Sequence, residues 1–111
     1  MTPAQFRKMA LSMPGAVEGA HHGHPDFRCG GRIFASLQPD GERAMVKVPP
    51  ADMARLVKMH GATFEPATGA WGRAGCTMVR LADVTSAVLK DAMTLAWQSI
   101  TAAPPARRSR R

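Results

Sequence analysis

The stretch from Phe27 to Val48 constrains the fold most, because apolar and polar residues alternate on either side of two tight-turn sequences. Gly30-Gly31 is the kind of dipeptide that a two-residue β-hairpin loop requires, and Asp40-Gly41 is a second one. Alternation with a period of two is typical of half-buried strands. The sequence therefore predicts a three-stranded antiparallel meander over these residues.

Two-residue loops also fix which residues face each other across the strands. They place Phe27 opposite Phe34 and Ala35 opposite Val46, unless a β-bulge shifts the register. One face of the meander is then aliphatic, and we expect it to lie under the first and last helices. Its members are Ile33, Ala35, Leu37, Ala44, Val46 and Val48, joined by Val79 and Leu81 of a later strand.

The opposite face combines basic, aromatic and sulfur-containing side chains. Its members are Phe27, Cys29, Arg32, Phe34, Ser36, Arg43, Met45 and Lys47, with Cys76, Met78 and Arg80 from the later strand. One interpretation is the solvated face that antiparallel sheets often keep. The other is a platform that holds nucleic acid or another anion by charge and ring stacking. The candidate nucleic-acid or anion-binding residues are Arg32, Arg43, Lys47, Arg80, Phe27 and Phe34.

Helical periodicity of the apolar residues predicts three helices, over residues 2–13, after Pro49-Pro50 and over residues 83–100. Two further short strands are predicted around residues 62–65 and 76–81. The resulting order is α-β-β-β-α-β-β-α. We therefore expect an α+β fold with an antiparallel β-sheet and helices packed on one face.

The length of 111 residues suits one domain, which we place at residues 1–102. The net charge is +7, and four of the positive charges lie in the last five residues. After Pro104-Pro105, the segment 103–111 is predicted to be a disordered Arg-rich tail. Such a tail favours polyanions, although it could equally be a solubilising end without a specific partner.

We expect a cytoplasmic protein with no membrane partner. No apolar run approaches the roughly 20 residues that a membrane-spanning helix needs. The N-terminal residues lack the apolar core of a secretory leader. Two cysteines are too few for a disulfide framework, so free thiols are expected.

The cluster of His21, His22, His24 and Cys29 raises the possibility of a metal site. Adjacent histidines in a strand point to opposite sides, and the paired spacing typical of zinc ligands is missing. We therefore expect no metal and no cofactor here, and we assign local hydrogen bonding to these histidines. The sequence also lacks a phosphate-binding loop, a dinucleotide-binding motif and a nucleophile elbow, so no catalytic residue is expected.

Trp71 lies among small residues in the segment WGRAG. A tryptophan in such a loop either fills the core or stacks on a ligand, and we favour the core position. The alternative function follows from the second possibility. In that case His24, Trp71 and Arg73, with Lys47, would surround a cleft for a small anionic ligand or a protein.

Several stretches resemble the MmcQ/YjbR family of small bacterial proteins: LSMPGAVEGAHHGHPDFRCGGRIFASL, VKV, WGRAGCTMVRL and VLKDAMTLAW. The resemblance covers roughly residues 2–100. It implies a compact α+β fold similar to the bacterial frataxin-like, or CyaY-like, architecture. It also implies DNA binding, the label that members commonly carry, and it brings no catalytic residues. Since no recognition helix is obvious in the sequence, we expect little DNA sequence specificity. We therefore expect a non-enzymatic nucleic-acid-binding module.

Overall fold

The structure is a computed structural model that describes residues 1–21 and 23–101. His22 and the predicted tail 103–111 lie outside the described residues. The helices in this part of the chain are α1 (Pro3–Leu11), α2 (Pro50–Met59), α3 (Gly69–Arg73) and α4 (Ser86–Thr101). The strands are β1 (Val17–His21), β2 (His24–Cys29), β3 (Arg32–Leu37), β4 (Arg43–Lys47), β5 (Phe64–Pro66) and β6 (Cys76–Arg80).

All six strands form one antiparallel sheet in the order β1-β2-β3-β4-β6-β5. The predicted α+β class with an antiparallel sheet is thus confirmed. Two short elements, β1 and α3, are additional to the predicted order. Their sequences, VEGAH and GAWGR, contain glycines, which weaken the local preference for a strand or a helix.

The predicted start of α1 is present as a capping box. The Thr2 hydroxyl accepts a hydrogen bond from the backbone N–H of Gln5 at 3.1 Å, and the Gln5 side chain accepts one from the backbone N–H of Thr2 at 2.8 Å. Pro3 occupies the first turn, where its missing N–H costs nothing. From this start, Phe6 and Ala10 are directed into the core.

The core lies between the sheet and the helices α1 and α4. The predicted aliphatic face is buried there at seven positions: Ala35, Leu37, Ala44, Val46, Val48, Val79 and Leu81. Leu89, Ala92, Met93 and Ala96 of α4 cover it from above. Within the described part of the chain, none of the helices has the length and apolarity needed to cross a bilayer.

The register of the second hairpin is the predicted one, with Ala35 opposite Val46. The first hairpin also begins as predicted, with Arg28 opposite Ile33. A β-bulge then intervenes, so that Phe27 faces Ala35 and Phe34 becomes the extra residue of β3. The predicted pairing of Phe27 with Phe34 is therefore wrong.

The bulge changes which side chains reach each side of the sheet. Phe27 and Phe34 are fully buried members of the core, so their assignment to the open basic face is also wrong. The rings of Phe6 and Phe27 lie with centroids 6.2 Å apart. Ile33, predicted for the core, is instead half-buried and lines the open side of the sheet together with Lys47.

Candidate functional site

The side of the sheet opposite the core carries a groove of about 1070 Å³, and one end of the groove reaches Ser99 and Ile100 of α4. This volume slightly exceeds the range of about 300–1,000 Å³ that is typical of small-molecule sites. Alternate residues of β3, β4 and β6 supply the floor, among them Ile33, Met45 and Met78. Arg32 precedes Ile33 and lies opposite Cys29, so it borders the groove at the end of β3 and is not part of the floor. The lining residues on which the argument depends are Arg32, Ile33, Arg43, Met45, Lys47, Trp71, Cys76 and Met78, together with His24 at the β2 end.

The centre of the floor is apolar and rich in sulfur. Met45 of β4 lies directly opposite Met78 of β6, and both side chains are half-buried. One step further along the same face, Lys47 lies opposite Cys76. Ser36 flanks Met45 on the β3 side. A ligand in the groove would therefore contact thioethers at its middle and a positive charge towards one end.

The four predicted basic residues fall into two classes. The Arg43 guanidinium Nε lies 2.9 Å from an oxygen of Asp40, and an Arg80 nitrogen lies 3.6 Å from an oxygen of Glu65. In residues 1–21 and 23–101, no carboxylate lies within ion-pair distance of Arg32 or Lys47. Arg32 and Lys47 are thus the cations of the groove whose charge is left for a ligand.

Asp40 belongs to the turn that follows β3. The backbone N–H of Glu42 donates to it at 2.8 Å, and the backbone N–H and guanidinium of Arg43 donate as well. These donors, with Glu42 making the largest contribution, lower the pKa of the Asp40 carboxyl. Asp40 therefore stays ionised and keeps Arg43 partly neutralised.

Trp71 is 72% exposed on the rim of the groove, so the predicted core position is wrong. Helix α3 holds it there through two close backbone approaches. A Cβ at Gly72 would lie 2.1 Å from the carbonyl oxygen of Ala67, and one at Gly75 would lie 1.8 Å from that of Val48. The two glycines of the WGRAG segment thus allow α3 to pack closely against the sheet. The glycines on either side of Arg73-Ala74 were the sequence signal for a tryptophan held in a fixed, exposed position.

The structure brings together only some of the residues predicted for the small-ligand cleft. His24 and Trp71 both line the groove, but Arg73 does not. The His24 Nδ1 lies 2.6 Å from the carbonyl oxygen of Leu37. Since a carbonyl only accepts, Nδ1 carries the proton and donates, which agrees with a local hydrogen-bonding role.

The two thiols lie on opposite sides of the sheet. Cys29 packs beside the core and donates to the carbonyl oxygen of Pro14 at 3.7 Å, whereas Cys76 lines the groove. Burial raises the pKa of the Cys76 thiol, and the positive charge of Lys47 acts in the other direction. A metal site built from His24, Cys29 and Cys76 cannot assemble across the sheet. The described residues also contain no group of three or more His, Cys, Asp or Glu side chains suited to a metal ion.

Sequence reasoning missed an ion pair on β2 in which the carboxylate is buried and the arginine is partly exposed. Asp26 is fully buried, and Arg28 reaches it with Nε at 2.6 Å and Nη2 at 3.0 Å. The bidentate contact raises the pKa of Arg28. Gly19 of β1 lies alongside and leaves the space, because a Cβ there would come within 2.9 Å of both side chains. Opposite charges two residues apart, facing a glycine, were the available signal.

Comparisons with known proteins agree with this fold. A crystal structure of Deinococcus radiodurans protein DR2400, which carries a DUF419 domain, superposes with a TM-score of 0.74 over 90% of this chain and 78% of that chain, at 18% sequence identity. At that identity, the likeness concerns the fold alone. No curated protein matches the sequence. The family model of YjbR matches residues 11–99. The chain therefore belongs to the YjbR family.

Proposed function

We propose that this chain is a non-enzymatic binding module whose groove holds an anionic ligand with a flat ring. The observation that carries the proposal is the combination of Arg32 and Lys47, whose charges have no carboxylate partner among the described residues, with an exposed Trp71 on the rim. The anionic group would contact the two cations. The ring would stack on the indole.

The chemistry of the groove supports binding of modest strength. Stacking of a base on an aromatic side chain contributes about 1–3 kcal/mol. An exposed ion pair adds about 1 kcal/mol or less, because water and salt screen it. The half-buried thioethers of Met45 and Met78 would contact the apolar body of the ligand, as methionines do at adaptable surfaces.

The positions of the thiol and the imidazole support a binding role and not a catalytic one. Cys76 is on β6 and His24 is on β2, so β3 and β4 lie between them. Three strand spacings of about 4.8 Å separate the two strands by about 14 Å. A cysteine nucleophile and its histidine base need hydrogen-bond contact, which this spacing does not allow.

Nucleic-acid binding through the open face is the second candidate, and the net charge of +7 favours it. Burial of Phe27 and Phe34 leaves the sheet itself without a stacking platform. Trp71 is then the aromatic group of the groove that remains for a base. This version is therefore narrower than a sheet-wide DNA surface: a short single-stranded segment would lie along the groove with its phosphates near Arg32 and Lys47.

Thermal shift and tryptophan fluorescence with defined probes test both candidates. The probes are adenosine monophosphate, benzoate, inorganic phosphate and a single-stranded thymidine oligonucleotide. The first candidate predicts that a ring-bearing small anion raises the melting temperature and changes Trp71 emission. It also predicts that Lys47→Ala and Arg32→Ala each weaken this binding, while Lys58→Ala on the exposed side of α2 does not.

The outcomes separate the two candidates. Binding of the oligonucleotide alone, with an affinity that falls steeply with salt, would select the nucleic-acid version. Small-anion binding that is indifferent to Lys47→Ala and Arg32→Ala would overturn the assignment of the groove. A chain ending at residue 102 lacks the Arg-rich segment 103–111 and should bind as the full chain does. Weaker binding by the shortened chain would show that the Arg-rich segment, and not the groove, holds the ligand.

A further inference from the structure

The groove floor brings three sulfur atoms to one face of two neighbouring strands. Met45 and Met78 are directly opposite each other, and Cys76 precedes Met78 by two residues on the same strand and the same side. Opposite residues in an antiparallel pair have Cβ atoms about 4.5–5.5 Å apart, and diagonal neighbours are about 7–8 Å apart. Flexible methionine side chains can span these separations, so all three sulfurs can reach one point above the floor.

The sulfur cluster, which consists of Met45, Cys76 and Met78, borders the groove from which a small ion would approach it. All three residues line the groove, on the side of the sheet opposite the core. The methionines are half-buried, and Cys76 retains 6% exposure. The thiol is thus shielded, while the two flexible thioethers can move towards an ion in the groove.

We propose that the sulfur cluster binds one thiophilic monovalent ion, Cu(I), with the Cys76 thiolate and the Met45 and Met78 thioethers as ligands. Thiolate and thioether donors are soft and select Cu(I) over hard oxygen-seeking cations. The binding step exchanges one ion for another: the Cys76 S–H bond breaks, a sulfur–copper bond forms, and the proton leaves to solvent. Copper stays in the +1 state, so the step needs no oxidant or reductant.

The positive surroundings decide which ion fits. Lys47 lies opposite Cys76, and Arg32 lines the same groove. When Cu(I) replaces the thiol proton, the charge of the site does not change, so the two cations impose no added repulsion. A divalent ion such as Zn(II) would add one positive charge beside Lys47 at every binding event. The site should therefore discriminate against divalent ions.

This inference does not depend on the anionic-ligand proposal, although both occupants would share the groove. The test uses the full chain, with Cu(I) supplied anaerobically in competition with a chromophoric Cu(I) chelator, and with Ag(I) as a redox-inert probe. We expect one ion bound per chain and no comparable binding of Zn(II). Met78→Leu and Met45→Leu should each weaken Cu(I) binding by about tenfold or more, since each removes a ligand.

Cysteine variants provide the matched comparison. Cys76→Ser should abolish the site, whereas Cys29→Ser, on the other side of the sheet, should bind as the parent chain does. Circular dichroism checks that each variant is folded. If Cys76→Ser does not fold, the Cu(I) affinities of the two methionine variants still test the proposal. Parent-like affinity in both methionine variants would overturn the proposal. So would binding that survives Cys76→Ser and is lost when His21 and His22 are replaced by alanine.

Discussion

The rings of Phe6 and Phe27 lie with centroids 6.2 Å apart and planes inclined by 54°. This contact joins α1 to β2 and fixes Phe27 on the helix-covered side of the sheet. Because both residues are fully buried, the contact is part of the core and not of a ligand surface.

Replacing Phe27 by alanine should therefore lower stability strongly. Truncating a buried phenylalanine typically costs about 3–5 kcal/mol, from lost transfer energy and from the cavity that remains. Urea unfolding followed by circular dichroism measures this loss. Val17→Ala is the control, because Val17 is 59% exposed and should change stability by about 0.5 kcal/mol or less. Equal losses in the two variants would contradict the placement of Phe27.

The β-bulge predicts opposite effects of the same substitution at the neighbouring residues Ile33 and Phe34. Phe34→Lys should prevent folding, since it would bury a charge in the core, whereas Ile33→Lys should be tolerated, since Ile33 lines the groove. Thermal melts and the yield of folded protein distinguish the two variants. A regular hairpin would give the reverse result, with Ile33→Lys the damaging change.

The fold that these residues build could be predicted in large part from the sequence. The two turns are encoded by dipeptides with few alternative conformations, and the second hairpin has the predicted register as a result. The bulge could not be predicted in the same way. Phe34 and Ile33 are both apolar, so the alternation pattern is equally compatible with either residue in the core, and tertiary packing decides.

The candidate site was predicted less completely for a related reason. Lys47 was placed on the open face by parity, and it lines the groove. Arg32 also borders the groove, but its register partner Cys29 packs beside the core, so parity did not predict its position. Sequence could not show that Arg43 and Arg80 have acidic neighbours, because those contacts depend on the turn and on the edge strand β5. The exposure of Trp71 depends on how closely α3 approaches the sheet, which is a property of the packed backbone.

Substitution by alanine should destabilise the protein more at Gly75 than at Gly41, although both glycines have a positive φ. The φ of Gly75 is +101°, and a Cβ there would lie 1.8 Å from the carbonyl oxygen of Val48. Gly41 has a φ of +71° with nothing within 4 Å of such a Cβ. Gly41→Ala should therefore cost only the conformational strain, about 1–3 kcal/mol, and Gly75→Ala should cost more. Comparable unfolding midpoints for the two variants would show that the approach to Val48 does not constrain α3.

The turn carboxylate Asp40 should make stability depend on pH. Its pKa is lowered in the folded state, chiefly by the Glu42 backbone N–H, so its ionised form stabilises the fold. This contribution is present above the pKa of an unfolded aspartate and is lost as the pH falls towards the lowered value. Asp40→Asn should destabilise the protein at neutral pH, and the difference should shrink in acid. Asp91→Asn, which removes one carboxylate on the exposed side of α4, is the control variant.

Fluorescence quenching should report the charge around the exposed indole. The Trp97→Phe variant retains Trp71 alone, and the Trp71→Phe variant retains Trp97, whose Nε1 donates to the carbonyl oxygen of Pro14 at 2.9 Å. Iodide should quench Trp71 more effectively than neutral acrylamide does, because Lys47 and Arg32 attract the anion. Added salt should remove this preference. A preference for iodide that persists at high salt would argue against an electrostatic origin.

The one-sided burial of the sheet separates two kinds of selection on this chain. Folding depends on the residues of each strand that point towards α1 and α4. The alternate residues, which point into the groove, contribute little to the hydrophobic core. Alternate residues of the same strand can therefore diverge at different rates. Substitution at the groove positions of β4 and β6 can therefore change the chemistry of that surface while the scaffold is retained.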